Sequence, residues 1–233
     1  MKYLIIICIF LIIFNLIISN NYHNINNIAN TKYLNEIRTL YPECILDEYH
    51  NDNLDLKDTL GNKIYPIYGE MNCEGLNQLF NQLKKYNKNI NSFIDIGCGR
   101  GKLVLTMAGY KQIKKSYGIE IVEDRINHAI EIKNKLSHFN EINKVDFINK
   151  SMFDIDYTTL FDTNDNTLIW MSNLCFGDEM SEKIINKLAN EMKKNTILIC
   201  SNPTEHERFK LIKKIVIPMS WDDESEVFIY VNY

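Results

Sequence analysis

From Tyr86 onward the chain alternates short apolar runs with longer segments whose apolar residues recur at helical spacing. The apolar runs predict strands at Ser92–Ile96, Lys115–Ile121, Val145–Ile148, Thr167–Ser172 and Thr196–Ser201. The periodic segments predict helices near Lys102–Gly109, Asp124–His138, Glu179–Met192 and Glu205–Leu211. Strands separated by helices run parallel, because each crossover carries the chain back over a face of the sheet. Two last runs, Lys214–Met219 and Glu226–Asn232, have no helix between them, and Trp221-Asp222-Asp223-Glu224-Ser225 reads as their turn. The expected fold is therefore α/β: a doubly wound, seven-stranded, mostly parallel sheet with a C-terminal antiparallel hairpin, preceded by a small helical segment.

Ahead of this block the pattern differs. Tyr3 to Ile18 is an almost unbroken apolar run, interrupted by Asn15 and preceded by Lys2. It sits between a spanning helix, which needs roughly 17–25 apolar residues, and a signal-peptide core of about 7–15. Ser19-Asn20-Asn21 is a poor cleavage site, so the run reads as a retained membrane anchor, with a cleaved secretory signal as the alternative. Residues Asn20 to Asn30 are polar, Asn-rich and linker-like. Tyr33, Leu34, Ile37, Leu40 and Tyr41 then fall at helical spacing and Pro42 ends the run, which predicts a short helix over Thr31–Tyr41. Tyr65-Pro66-Ile67-Tyr68-Gly69-Glu70 makes a loop, and Leu76, Leu79, Phe80 and Leu83 mark one face of a helix over Asn72–Lys85. The organisation expected is an anchor or signal at 1–19, a linker and helical preface at 20–62, and one globular domain at 63–233.

Charge and cysteine usage narrow the partners. Over 233 residues, 26 Lys and Arg face 30 Asp and Glu, a formal net charge of −4. Lys84-Lys85, Lys114-Lys115, Lys193-Lys194 and Lys213-Lys214 are separate pairs that solvate element ends, without the single basic face that nucleic acid requires. Cys8, Cys44, Cys73, Cys98, Cys175 and Cys200 form none of the close pairs of zinc or redox motifs, so they read as free thiols and no metal is expected.

The chemistry concentrates after the first predicted strand. Gly97, Gly99 and Gly101 occupy the first strand-to-helix loop, where open α/β sheets bind their ligands. Glycines there admit backbone angles closed to other residues and let a ligand approach the main chain. Asp95 closes that strand, and Glu120 closes the next one 25 residues later, where a carboxylate can accept ribose hydroxyls. A dinucleotide loop reads G-x-G-x-x-G, and a P-loop needs Ser or Thr after its Lys; here the glycines alternate and Leu103 follows Lys102. The expected cofactor is S-adenosyl-L-methionine.

Four separated segments resemble the non-SET histone-lysine methyltransferases named for disruption of telomeric silencing, within the class I S-adenosylmethionine-dependent methyltransferases. Tyr68-Gly69-Glu70 resembles the family's loop over the methionine part of the cofactor. Asp95-Ile96-Gly97-Cys98-Gly99-Arg100-Gly101-Lys102 resembles its cofactor loop, with Lys102 where the family usually has Gln. Ser172-Asn173-Leu174-Cys175-Phe176-Gly177 resembles the Asn-Asn-Phe-Ala-Phe-Gly signature, and Ser201-Asn202-Pro203 resembles Ser-Lys-Pro. Trp221, followed seven residues later by Phe228, is similar to a Trp and Tyr pair lining the family's lysine channel. Three positions depart: Ser172 replaces Asn, Phe228 replaces Tyr, and Met152-Phe153 stands where the family has Asp-Phe beside the adenine.

The resemblance implies methyl transfer to a protein lysine, a histone being one candidate. It adds Tyr68, Gly69, Glu70, Lys102, Phe153 and Asn173 to the cofactor site. It surrounds the transferred methyl group with Tyr68, Asn173, Phe176, Trp221 and Phe228, whose aromatic rings would keep a lysine amine neutral and accept the cationic product. Blander roles stay open: a helix cap for Asn173, a loop anchor for Tyr68, a cap-type carboxylate for Glu70, and core packing for the aromatics. Two other functions also stay open, methylation of a small molecule or RNA and a membrane-tethered cofactor-binding module without turnover. The N-terminal run adds a membrane as partner, with the domain on the cytosolic side where the cofactor is made.

Overall fold

The computed structural model describes residues 29–41, 56–57, 63–64, 69–84, 90–161 and 165–233. The apolar run Tyr3–Ile18, most of the linker after it, and Tyr68 lie outside these residues. Among the described residues no helix is long and apolar enough to cross a membrane.

In chain order the elements are α1 (Thr31–Leu40), β1 (Leu56–Lys57), β2 (Lys63–Ile64), α2 (Cys73–Lys84), β3 (Ser92–Ile96), α3 (Lys102–Ala108), β4 (Lys115–Glu120) and α4 (Glu123–Lys135). Then come β5 (Val145–Asn149), β6 (Thr167–Met171), α5 (Asp178–Glu191), β7 (Ile197–Cys200), β8 (Phe209–Ile217) and β9 (Ser225–Asn232). Seven strands form one sheet in the order β5-β4-β3-β6-β7-β9-β8. The pairs from β5 to β7 are parallel, and β9 joins β7 and β8 antiparallel. This is the doubly wound sheet with a terminal hairpin that the alternation of runs predicts.

Every residue of β3 and β6 is buried, as strands covered on both faces require. One face packs against α1, α2, α3 and α4 through Tyr33, Ile37, Leu76, Leu79, Val104, Leu105, Ile126 and Ile132. The other packs against α5, whose Ile184, Ile185, Leu188 and Ala189 meet Ile94, Ile169 and Leu198. Successive strands β3, β4 and β5 run to one side and β6 and β7 to the other, so strand order reverses beside β3 and opens a crevice at the carboxyl ends.

The preface helix does more than cover the sheet. Asn30 caps α1 by accepting the Tyr33 N–H, and the Tyr33 hydroxyl donates to the Leu105 carbonyl of α3 at 3.0 Å. At the other end of the chain, α2 docks on the hairpin that joins β8 to β9. A Cβ at Gly75 would lie 2.3 Å from the Pro218 carbonyl oxygen, so only glycine permits this approach.

One element differs from expectation. Glu205–Leu211 forms no helix: the chain descends after Pro203 and enters β8 at Phe209. Phe209 pairs with Asn232 and Leu211 with Tyr230, while the Tyr230 hydroxyl accepts the Thr204 N–H at 2.9 Å. A helix there would leave the last residues of β9 as an unpaired sheet edge, and the ladder outweighs weak local helix propensity.

Because Gly75 meets backbone rather than a yielding side chain, Gly75→Ala should push α2 off the hairpin and lower unfolding free energy by about 1–3 kcal/mol. Urea denaturation with an unchanged m-value checks this; an unchanged midpoint would show that the contact is slack.

Candidate active site

The crevice is built around the loop from Gly97 to Gly101. All three of its glycines have positive φ, at 77°, 52° and 81° for Gly97, Gly99 and Gly101. Gly101 cannot be replaced cheaply, since a Cβ there would lie 2.5 Å from the Phe147 ring as well as in a strained backbone region. Gly97 is exposed, and a Cβ there would meet nothing within 4 Å, so the loop presents bare backbone to open space. The loop is pinned beneath by β4: the N–H groups of Gly97 and Cys98 both donate to the Ile119 carbonyl, at 2.8 and 3.0 Å.

Glu120 lies at the end of β4, only 5% exposed. One carboxylate oxygen accepts the Gly99 N–H at 2.9 Å and the other accepts the Val122 N–H at 2.8 Å. Each oxygen keeps lone-pair capacity for a further donor, such as a ribose hydroxyl. Asp95 lies at the end of β3, 4% exposed. Its carboxyl is held well above the usual carboxylate range by burial, then by repulsion from Glu120 and Glu70. Three carboxylates around one crevice suit a ligand that brings positive charge.

The third carboxylate comes from the segment before α2. Glu70 forms an ion pair with Lys102 at 2.9 Å, both side chains being largely buried. Its backbone is clamped to the hairpin turn: the Ser220 N–H donates to the Glu70 carbonyl, and the Glu70 N–H donates to the Ser220 hydroxyl, each at 2.9 Å. Next to it, Gly69 lies so close to Trp221 that a Cβ would fall 2.3 Å from the indole ring. Residues about 150 positions apart thus form one wall of the crevice.

On the far side of β3, the segment after β6 makes a short turn at Asn173–Cys175. Asn173 is fully buried, and its side-chain oxygen accepts the Asn202 N–H at 2.7 Å while the Asn202 side chain donates to the Asn173 carbonyl at 3.2 Å. Asn173 therefore fastens the turn to the segment after β7 and caps no helix; the residue before α5 is Gly177, with no side-chain cap. Leu174 is 43% exposed at the rim, and Phe176 is half-buried against the α5 side of the core. Phe153 belongs to a turn after β5, with Ser151 accepting its N–H, and it too packs on that side while Asp154 beside it is exposed.

The structure thus brings Gly69, Glu70, Asp95, Gly97, Gly99, Gly101, Lys102 and Glu120 together, and sets Asn173, Phe176 and Phe153 at the same end of the sheet. Tyr68 lies outside the described residues. Trp221 and Phe228 fall in different core clusters: Trp221 packs on Gly69, whereas Phe228 is 9% exposed in the α5-side core with the Lys214 ammonium 5.5 Å from its ring. Sequence reasoning missed Ser220, whose bonds to Glu70 carry no local signal, and Tyr41, whose hydroxyl reaches the glycine loop from α1.

Comparison with known proteins identifies the family and the fold. The family model described as "Histone methylation protein DOT1" matches residues 58–218. A Caenorhabditis elegans protein named "Histone-lysine N-methyltransferase, H3 lysine-79 specific" is 28% identical over 137 residues, which are 57% of this chain and 14% of that protein. Among solved structures, an RNA methyltransferase from Salinibacter ruber in complex with S-adenosyl-L-homocysteine superposes with a TM-score of 0.51 at 15% identity, covering 67% of this chain and 90% of the other. A conserved hypothetical protein of Streptococcus pyogenes gives 0.50 at 15% identity over 67% and 94% of the two chains. These two likenesses establish the fold.

Asp95 supplies a direct test of the charge argument. Its raised pKa means that the folded protein holds the proton more tightly than the unfolded chain, so stability falls as pH rises above the ordinary Asp range. Asp95→Asn should flatten the decline of the ligand-free protein's melting temperature with rising pH, while weakening cofactor binding roughly tenfold or more. Calorimetric melting and titration read both; an unchanged pH dependence would contradict the cost of burying the Asp95 charge beside Glu120 and Glu70.

Proposed function

This chain belongs to the DOT1 family of histone methylation proteins, and we propose that it transfers a methyl group from S-adenosyl-L-methionine to the side-chain amine of a protein lysine. The cofactor is S-adenosyl-L-methionine, which when bound supplies an electrophilic methyl group on a positively charged sulfur. The residues present fit it. Gly97 leaves backbone open to a ligand, Glu120 has acceptor capacity left for hydroxyls, and Asp95, buried beside Glu120 and Glu70, favours a cationic amino-acid portion.

The observation that supports a lysine acceptor is the locking of the Asn173 turn after β6 to Asn202 after β7, at the end of the sheet where the cofactor loop lies. In-line displacement needs the acceptor held at a fixed approach, and a turn tied at both backbone and side chain supplies that rigidity. A lysine needs a neutral amine, and the half-buried Phe176 ring with the exposed Leu174 beside it in the Asn173 turn gives apolar surface that disfavours the ammonium without a dedicated base. Burial pushes the Cys175 thiol in the same turn up, away from the thiolate form. A histone is the first substrate to test; the apolar run Tyr3–Ile18 supports a membrane-associated protein as the second, with the domain anchored on the cytosolic face.

Incubation with methyl-labelled cofactor and nucleosomes, free histones or whole-lysate protein should give label that protease releases and nuclease does not, with methyl-lysine in its peptides. Gly97→Arg, which fills the open space before the loop, should lower transfer at least about a hundredfold. Label released by nuclease would assign the activity to RNA, and cofactor binding without labelled product would make the chain a binding module.

A further inference from the structure

We infer that Tyr41, at the end of the preface helix α1, is a positioning residue for the cofactor loop. The inference rests on the cofactor assignment above and extends it to an element 56 residues before the loop's first glycine.

Tyr41 is 7% exposed, and its hydroxyl donates to the Arg100 carbonyl at 2.6 Å. Arg100 stands between Gly99 and Gly101, both with positive φ, at the crown of the loop. Rotation of the peptide between Arg100 and Gly101 would turn that carbonyl and the Gly101 N–H together, and glycine offers little steric resistance to it. Two bonds oppose the rotation. The Gly101 N–H donates to the Cys98 carbonyl at 2.9 Å, inside the loop, and the Tyr41 hydroxyl holds the carbonyl from outside. Glu120 holds the neighbouring Gly99 N–H from the opposite side. The Tyr41 ring also meets the His128 ring of α4 edge-on, with centroids 6.1 Å apart, so one side chain spans the elements that frame the loop.

The tether is itself rigid. The Tyr41 N–H closes α1 by donating to the Ile37 carbonyl at 3.0 Å, and α1 is anchored on α3 through Tyr33 and through the Asn30 N–H bonded to the Gly109 carbonyl at 2.9 Å. The preface helix therefore carries positional information into the site without touching the ligand.

Tyr33 provides an internal control. It lies on the same helix, is fully buried, and makes the same kind of bond, hydroxyl to backbone carbonyl, but at Leu105 within α3, beyond the loop. Tyr41→Phe and Tyr33→Phe should each lower the melting temperature by a similar few degrees. Only Tyr41→Phe should weaken S-adenosyl-L-methionine binding, by roughly three- to tenfold, and raise its KM with kcat within twofold. In the ligand-free proteins, amide exchange at Gly101 and Lys102 should speed up in Tyr41→Phe alone. Equal effects of the two variants on affinity and exchange, or none from Tyr41→Phe, would overturn the inference. Failure of the wild type to bind the cofactor would instead count against the cofactor assignment, and the exchange comparison would still decide the tether.

Discussion

The Glu120 carboxylate, buried at the end of β4, accepts the N–H groups of Gly99 and Val122 and so joins the cofactor loop to the start of α4. A loop with three residues at positive φ has few side-chain contacts to hold it, and its shape depends on bonds from outside. β4 supplies them twice, through Glu120 and through the Ile119 carbonyl that accepts from Gly97 and Cys98. Charge-assisted bonds of this kind are stronger than neutral ones, but they bury a carboxylate beside Asp95 and Glu70. The crevice is therefore held in shape by the same groups that make it repel itself, and a cationic ligand relieves that conflict.

The rest of the site is assembled from the ends of the described chain. Glu70 is tied to Lys102 by charge and to Ser220 by backbone, and Gly69 is pressed against Trp221. These contacts form because α2 docks on the β8–β9 hairpin, where Gly75 leaves room for the Pro218 carbonyl. The wall that closes the crevice is thus a consequence of packing between a helix that precedes β3 and the hairpin formed by the sheet's last two strands.

Some of this was legible along the chain because it follows from local periodicity. The central strands β3, β6 and β7 appear as apolar runs because they are buried on both faces, and α4 and α5 appear as amphipathic periods because each buries one stripe. Glu205–Leu211 fails for the opposite reason: its short periodic pattern is decided by a strand pairing with Tyr230 and Asn232, which no local window contains. Asn173 shows the same limit in the site. Its position at the end of β6 is readable, but whether its amide caps α5, meets a ligand or fastens Asn202 depends on where β7 delivers Asn202. Phe228 is legible as an aromatic and lands in the core on the α5 side, apart from Trp221, because β9 turns its alternate residues to that face.

By itself, then, the sequence determined the α/β alternation, the glycine loop, and the carboxylates Asp95 and Glu120 that end the first two parallel strands. These depend on spacing within one strand-loop-helix unit, where backbone geometry is set by residues a few positions apart. The tertiary structure alone decided which distant groups hold that loop: Tyr41 on the Arg100 carbonyl, Lys102 on Glu70, and Ser220 on the Glu70 backbone. Their bonds join partners 59, 32 and 150 residues apart, and burial of apolar faces brings them together before any hydrogen bond can select them.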